Sequence, residues 1–450
     1  FFANATYSYK GRYTVNGTAR YEGTNRMGKS RSARWLPTWN VSGAWNAHEE
    51  KFFSNLTSVL SHFTLKASYS LTADRGPADV TNSQAIITSY SPYRPFTSIQ
   101  ESGLYIKELE NSELTYEKKH ELNIGADMGF LNNRINLAVD WYKRNNYDLI
   151  GIVNTQGAGG QILKYANIAS MKSHGIEFTL STKNIKTKDF NWNTDFIFSN
   201  AKNEVTDLKQ NANVMELISG NGFAKQGYPV RGLFSIPFVG LDKDGIPVII
   251  NEKGEATSTD INFQERQNTG FLKYEGPTDP TITGSLGNMF SYKGFRLNLF
   301  ITYSFGNVIR LNPVFKAYYS DLTAMTREFK NRWTLPGDEA KTNVPAILSK
   351  RMYDSNEDLK YAYNAYNYST ERIAKGDFIR LKEISLAYDF PKAWINPLKL
   401  TDLSLKVQAT NLFLIYADDK LNGQDPEFFN AGGVASPVPR QFTITLRLGL

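Results

Sequence analysis

Apolar and polar residues alternate along this chain with a period of two, in segment after segment. In RINLAVDWYKRN, Ile135, Leu137, Val139 and Trp141 alternate with Asn136, Ala138, Asp140 and Tyr142. In FRLNLFITYSF, Phe295, Leu297, Leu299, Ile301 and Tyr303 alternate with Arg296, Asn298, Phe300 and Thr302. The closing QFTITLRLGL sets Phe442, Ile444, Leu446, Leu448 and Leu450 against Gln441, Thr443, Thr445, Arg447 and Gly449. Successive side chains of an extended strand point to opposite faces, so each segment predicts a strand with one apolar and one polar face. The pattern predicts thirteen strands, at 1–10, 12–23, 36–46, 61–72, 118–130, 133–147, 173–184, 189–201, 281–292, 294–305, 377–390, 401–413 and 439–450. Most are about twice the usual globular length. A tilted strand of about 9–11 residues is long enough to cross a bilayer core.

The connections sort into two kinds. Tight turns are expected at YKGR (9–12), FLNNR (130–134), NIKTKDF (184–190) and YKGF (292–295), with a somewhat longer one at PKAWINPLKLTD (391–402). Long links occupy 73–117, 148–172, 202–280, 306–376 and 414–438, and 47–60 is intermediate. Short and long alternate, which fits an outer-membrane barrel with short periplasmic turns and long extracellular loops. A soluble sandwich has no reason to sort its connections by side. The alternation stays in phase only if 202–280 is one excursion, so the hairpin-like GLFSIPFVGLDKDGIPVII (232–250) belongs to a loop outside the barrel. Parity makes strand 1–10 descend, and thirteen antiparallel strands leave mismatched edges. The expectation is all-β: the C-terminal part of a larger transmembrane antiparallel barrel, its other strands preceding Phe1.

Composition supports that picture. Aromatic residues make up 13% of the chain, with 25 Tyr and 28 Phe, while mean hydropathy is negative. Tyr and Trp gather near strand ends, where an aromatic girdle lies. No run of 18 apolar residues suggests a transmembrane helix, and Phe1 onward lacks signal-peptide features. With no Cys there is no disulfide framework, and the +7 net charge is dispersed rather than gathered into a nucleic-acid-binding tract.

Site chemistry is sparse. His48, His62, His120 and His174 lack ligand spacing, so no metal or other cofactor is expected. Asp242, Asp244 and Gly245 resemble the start of a calcium loop but lack its remaining ligands, and Gly157-Ala158-Gly159-Gly160 has no P-loop lysine. No nucleophile–base set is visible, and no enzyme is expected. Phe442, Ile444, Leu446 and Leu448 read as lipid-facing, with Arg296, Lys406 and Arg447 on a wet lumen. Tyr361, Tyr363, Tyr366 and Tyr368 are candidates for stacking on a ligand or packing against a partner.

Several strings in order resemble a known family. They are YSYKGRYTVNGTARYEGTNRMG (7–28), LPTWNVSGAWNAHEEKFF (36–53), LTYEKKHELNIGADMGFLNNRINLAVDWYKRNNYDLI (114–150), NIASMKSHGIEFTL (167–180), GDFIRLKEISLAYDFP (376–391), ATNLFLIY (409–416), GQDPE (423–427) and PRQFTITLRL (439–448). Together they resemble the C-terminal barrel portion of SusC/RagA-type TonB-dependent outer-membrane transporters of Bacteroidetes. One departure is the final Leu450, where the family has Phe. The resemblance implies a 22-stranded barrel, so strand 1–10 would be the tenth. It also implies an N-terminal plug and a TonB box, both outside this sequence, with 202–280 and 306–376 as large extracellular loops. It further implies import of oligosaccharide or peptide, with no bond made or broken. Implied partners are a SusD-like surface lipoprotein lid, TonB-ExbB-ExbD, and outer-membrane lipid and lipopolysaccharide, in a dimer of transporter–lid pairs. A passive porin or adhesin barrel without a plug is the alternative.

Overall fold

Alternating segments separated by residues able to take positive φ fold into long hairpins. Lys293 and Gly294 (φ 44° and 91°) form a two-residue turn that joins Tyr292 directly to Phe295. Glycine suits the second position, because a Cβ there would lie 2.8 Å from the Asp389 carbonyl oxygen. Leu131, Asn132 and Asn133 carry φ of 52°, 56° and 57° in the FLNNR turn.

The computed structural model of the chain describes residues 1–76, 84–93, 101–157, 163–314, 326–429 and 439–449. Thirteen strands form one antiparallel sheet, hydrogen-bonded in sequence order. They are Phe2–Tyr9, Tyr13–Gly23, Trp35–Asn46, Leu60–Asp74, Glu117–Phe130, Ile135–Asn154, Leu163–Lys186, Phe190–Leu208, Ile282–Tyr292, Phe295–Phe305, Phe378–Asp389, Asp402–Ala417 and Gln441–Gly449. Each corresponds to an expected strand. Leu450 and residues 158–160 of the glycine-rich stretch lie outside the described residues. Within and just after 232–250, Phe238–Leu241, Pro247–Ile250 and Ala256–Thr257 pair in a three-stranded sheet separate from the thirteen-stranded one.

The chain divides into two compact units, Phe1–Glu177 with Ala201–Gln210, and Phe178–Asn200 with Asn211–Leu450. In the first, Met27, Leu114 and Tyr116 form a small buried cluster where the link after Gly23 meets the segment before Glu117. Gly28 donates to the Leu114 carbonyl there (2.8 Å). In the second, the described parts of the long links, 211–281, 306–314 and 326–377, fold into a body with its own cores. One core holds Val214, Leu217, Ile218, Phe234, Ile236, Ile249 and Ala365; another holds Leu348, Leu359, Ala362 and Tyr363. The wall strands have no such interior, because one of their faces is apolar and left uncovered.

Candidate functional site: a polar wall and its folded loops

Register decides which residues share a face. In the second unit, Leu386 pairs with Val407 and Val407 with Ile444, and all three remain roughly half exposed or more, at 48%, 47% and 74%. Phe442, Leu446 and Leu448 share that face and are exposed as well. The result is a continuous uncovered apolar stripe, which water would not tolerate cheaply.

The opposite face is polar. Arg296, Ala387, Lys406 and Thr445 lie on one rung, and Asp389, Ser404 and Arg447 on the next but one. The three expected lumen cations therefore share a wall. Sequence reading missed the counter-charges of two of them: Asp389 accepts from Arg296 at 2.8 Å, and Glu383 sits 3.8 Å from Lys406 and accepts from Asn298 at 3.4 Å. Such paired, solvated charges are worth little for stability and suit a wetted surface.

The first unit repeats the arrangement. Its polar face carries a ladder in which Asn4 donates to Thr18 (2.9 Å), Asn16 to Thr6 (2.6 Å) and Thr14 to Ser8 (3.2 Å). Beside it, Lys66 pairs with Asp127 at 2.7 Å. A depression of about 310 Å³ on this face is lined by Thr14, Asn16, Ser42, Lys66, Ser68, Asn123 and Asp140.

The loop body is held by buried arginines, which sequence reading also missed. Arg310 is buried and donates to the carbonyls of Phe234 (2.6 Å), Ser369 (2.8 Å) and Ile218 (3.3 Å). Burial pushes its guanidinium down to about 9, still cationic at neutral pH. Arg372 pairs with Glu328 and donates to the Asn312 carbonyl (2.7 Å). Arg380, on a wall strand, pairs with Asp425 (2.5 Å) and Glu427 (3.3 Å), which clamps the GQDPE segment to the wall. A cavity of about 440 Å³ lies beside this clamp, lined by Arg380, Asn411, Gln424, Asp425, Phe429 and Arg440.

The four candidate tyrosines divide. Leu359–Asn367 is a helix that buries Leu359, Ala362, Tyr363 and Tyr366. Tyr363 and Tyr366 are fully enclosed, and the Tyr363 hydroxyl donates to the Ala346 carbonyl (3.0 Å). They are the loop's own core, with no face left for a ligand. Burial raises both phenols, Tyr366 to about 12. Tyr361 is 38% exposed and Tyr368 lies under Arg310. At 242–246 the Asp242 carboxylate accepts the amides of Asp244 and Ile246 (both 2.9 Å), so it closes a turn. Among the described residues no group of three or more metal-type ligands converges.

Residues 1–412 match the family described as TonB dependent receptor-like, beta-barrel. The chain belongs to that family. TonB-dependent receptors are outer-membrane proteins, and they are receptors and transporters rather than enzymes. Among curated relatives, the chain is 25% identical to TonB-dependent receptor P3 of Formosa agariphila, over 95% of this chain and 41% of that protein. It is 26% identical to TonB-dependent receptor SusC of Bacteroides thetaiotaomicron, over 100% of this chain and 43% of that protein. It spans less than half the length of these relatives. Among solved structures, the RagAB peptide transporter superposes with a TM-score of 0.78 at 23% identity, over 99% of this chain and 46% of that one. That likeness shows the fold.

Proposed function

We propose that this TonB-dependent receptor barrel forms the wall and extracellular loops of an importer for oligosaccharides or peptides, working with a SusD-like surface lipoprotein and energised through TonB. One observation carries the reading. At one end of the wall strands the connections are tight turns; at the other, two long links fold into a body with its own cores and buried arginine staples. Preorganised loops of that size suit a binding mouth, since rigid surfaces lose less on binding. The tight-turn end is then periplasmic, and the polar faces line the lumen. Relatives named SusC and RagAB support the family's mode of transport. Further strands, supplied by the rest of the assembled barrel, would pair the open edges at Phe2–Tyr9 and Gln441–Gly449.

The test is uptake of a mixed library of labelled oligosaccharides and oligopeptides by cells carrying the complete protein, with and without TonB and with and without a co-expressed SusD-like lipoprotein. TonB-dependent accumulation that falls when the lipoprotein is removed is expected. Uptake that persists without TonB would replace the reading with a passive pore.

A further inference from the structure

The segment 47–60 is the longest connection at the tight-turn end of the first unit, and it projects apolar side chains outward. Phe52, Leu56 and Val59 are 58%, 48% and 59% exposed, and Leu131 of the adjacent turn, whose amide bonds to the Val59 carbonyl (2.8 Å), is exposed too. These side chains are held firmly. Backbone bonds from Phe53 to Glu50 (3.0 Å), Leu56 to Phe53 (2.8 Å) and Val59 to Leu56 (3.0 Å) lock the segment into helical turns, and Phe53 plugs it inward. Glu50 ties it to the wall by accepting from the Tyr13 hydroxyl (2.5 Å) and Arg12 (3.2 Å). The Tyr13 hydrogen bond, followed by that of Trp45 and by the charge of Arg12, holds this carboxyl below its usual range.

Two features say what covers the patch. The Phe52 ring lies 6.5 Å from Trp45, and Trp45 shares the outward row with Tyr13 and Leu65, opposite the face of Lys66. The patch therefore continues the apolar outer surface and points away from the polar wall. Lys51 stands exposed beside Phe52, positioned for an anionic headgroup. The second unit repeats the device independently: Trp394, 62% exposed on the short helix Lys392–Ile395, lies 6.4 Å from Phe390, which lies 4.9 Å from outward-facing Tyr388.

We propose that the turns 47–60 and 390–401 are interfacial anchors, inserting Phe52, Leu56, Val59 and Trp394 into the headgroup–acyl boundary of the phospholipid leaflet at the tight-turn end. This rests on the outer face being lipid-facing, and the experiment separates the two. These 450 residues hold no Cys, so once any cysteine elsewhere in the complete transporter is replaced by serine, single nitroxides can be placed at 52, 56, 59 and 394, with Ile444 as the deep control and Ser54 and Thr445 as wet controls. The complete transporter, purified from outer membranes, is reconstituted in phosphatidylethanolamine/phosphatidylglycerol vesicles, and collision with oxygen and with a water-soluble nickel chelate is measured.

Labels at the four anchors should lose nickel collisions and gain oxygen collisions, reading shallower than Ile444, while Ser54 stays nickel-accessible. Nickel-accessible anchors with a deep Ile444 overturn the anchors alone. A wet Ile444 overturns the lipid-facing assignment beneath them. Anchors shielded from both reagents are covered by protein, another turn or a second copy, and that also overturns the proposal.

Discussion

An arginine scan of the last strand tests the face assignment and the membrane depth together. A strand rises about 3.4 Å per residue, and at a tilt of about 40° that is about 2.6 Å along the bilayer normal. Ile444 lies five residues above the Gly449 end of Gln441–Gly449, hence about 13 Å up, half of an apolar band about 25 Å tall. Leu446 lies about 8 Å up and Leu448 about 3 Å. Ile444→Arg should therefore cost about 2–4 kcal/mol, Leu448→Arg about 0–1 kcal/mol, and Leu446→Arg should fall between them. Thr443→Arg and Thr445→Arg point to the polar wall and should be near neutral. The assay is equilibrium denaturant unfolding of the complete protein in lipid vesicles, read by tryptophan fluorescence. Equal costs at 443, 444 and 445 would refute the face assignment. A flat series from 444 to 448 on the apolar face would refute the depth.

Arg310→Met should destabilise the loop body by at least about 3 kcal/mol, since three buried carbonyls lose charged donors; rapid proteolytic nicking within 211–280 and 326–376, with the wall intact, is the readout. Arg380→Ala leaves Asp425 and Glu427 without their cation and should cost about 3–5 kcal/mol, freeing the 418–429 segment as seen by hydrogen exchange. Gly28→Ala would set a Cβ 1.9 Å from the Ser112 carbonyl oxygen, so the 24–34 link should shift and lose about 1–3 kcal/mol, measured by local exchange. Asp338 is held down to about 2, first by the Thr334 hydroxyl and then by the Leu335 and Thr334 amides. Its folded value lies below its unfolded one, so its contribution is complete above about pH 4 and is lost as pH falls through about 2. Its carboxyl carbon resonance should titrate near 2, and a midpoint near 4 would contradict the turn geometry.

The wall was legible in the sequence because a strand in this setting must alternate, and Phe295 to Phe305 does so with Phe300 as its one apolar intruder in the polar row. Legibility fails where strands rise past the lipid. Leu163–Lys186 begins ten residues before its expected start at 173, because at that end alternation carries no information. The helix Leu359–Asn367 had a signal, Leu359, Ala362, Tyr363 and Tyr366 at helical spacing. The two-residue spacings Tyr361–Tyr363 and Tyr366–Tyr368 hid it by imitating an exposed aromatic strip. No local pattern could have announced Arg310, whose carbonyl partners lie 59, 92 and 76 residues away.

That division has a physical cause in what each part of the chain has to order. The wall is stabilised by ladder hydrogen bonds and by the solvent on its outer face, so its code is short-range and periodic. A long excursion has only short ladders, such as that of Phe238–Leu241 with Pro247–Ile250, and ordering each of its residues costs about 1–2 kcal/mol of backbone entropy. It must therefore bury a core of its own, here Val214, Leu217, Ile218, Phe234 and Ile249, and close its backbone groups with side chains such as Arg310. Segments lacking such a core can stay ordered only by clamping onto something that has one. The 418–429 segment does this. Leu421 and Phe429 join Ile309 and Ala374, and Asp425 and Glu427 grip Arg380. The clamped segment is therefore held on one side by a small apolar cluster and on the other by the carboxylates of Asp425 and Glu427 on Arg380, so its order depends on that one cation in a way that the body's order does not.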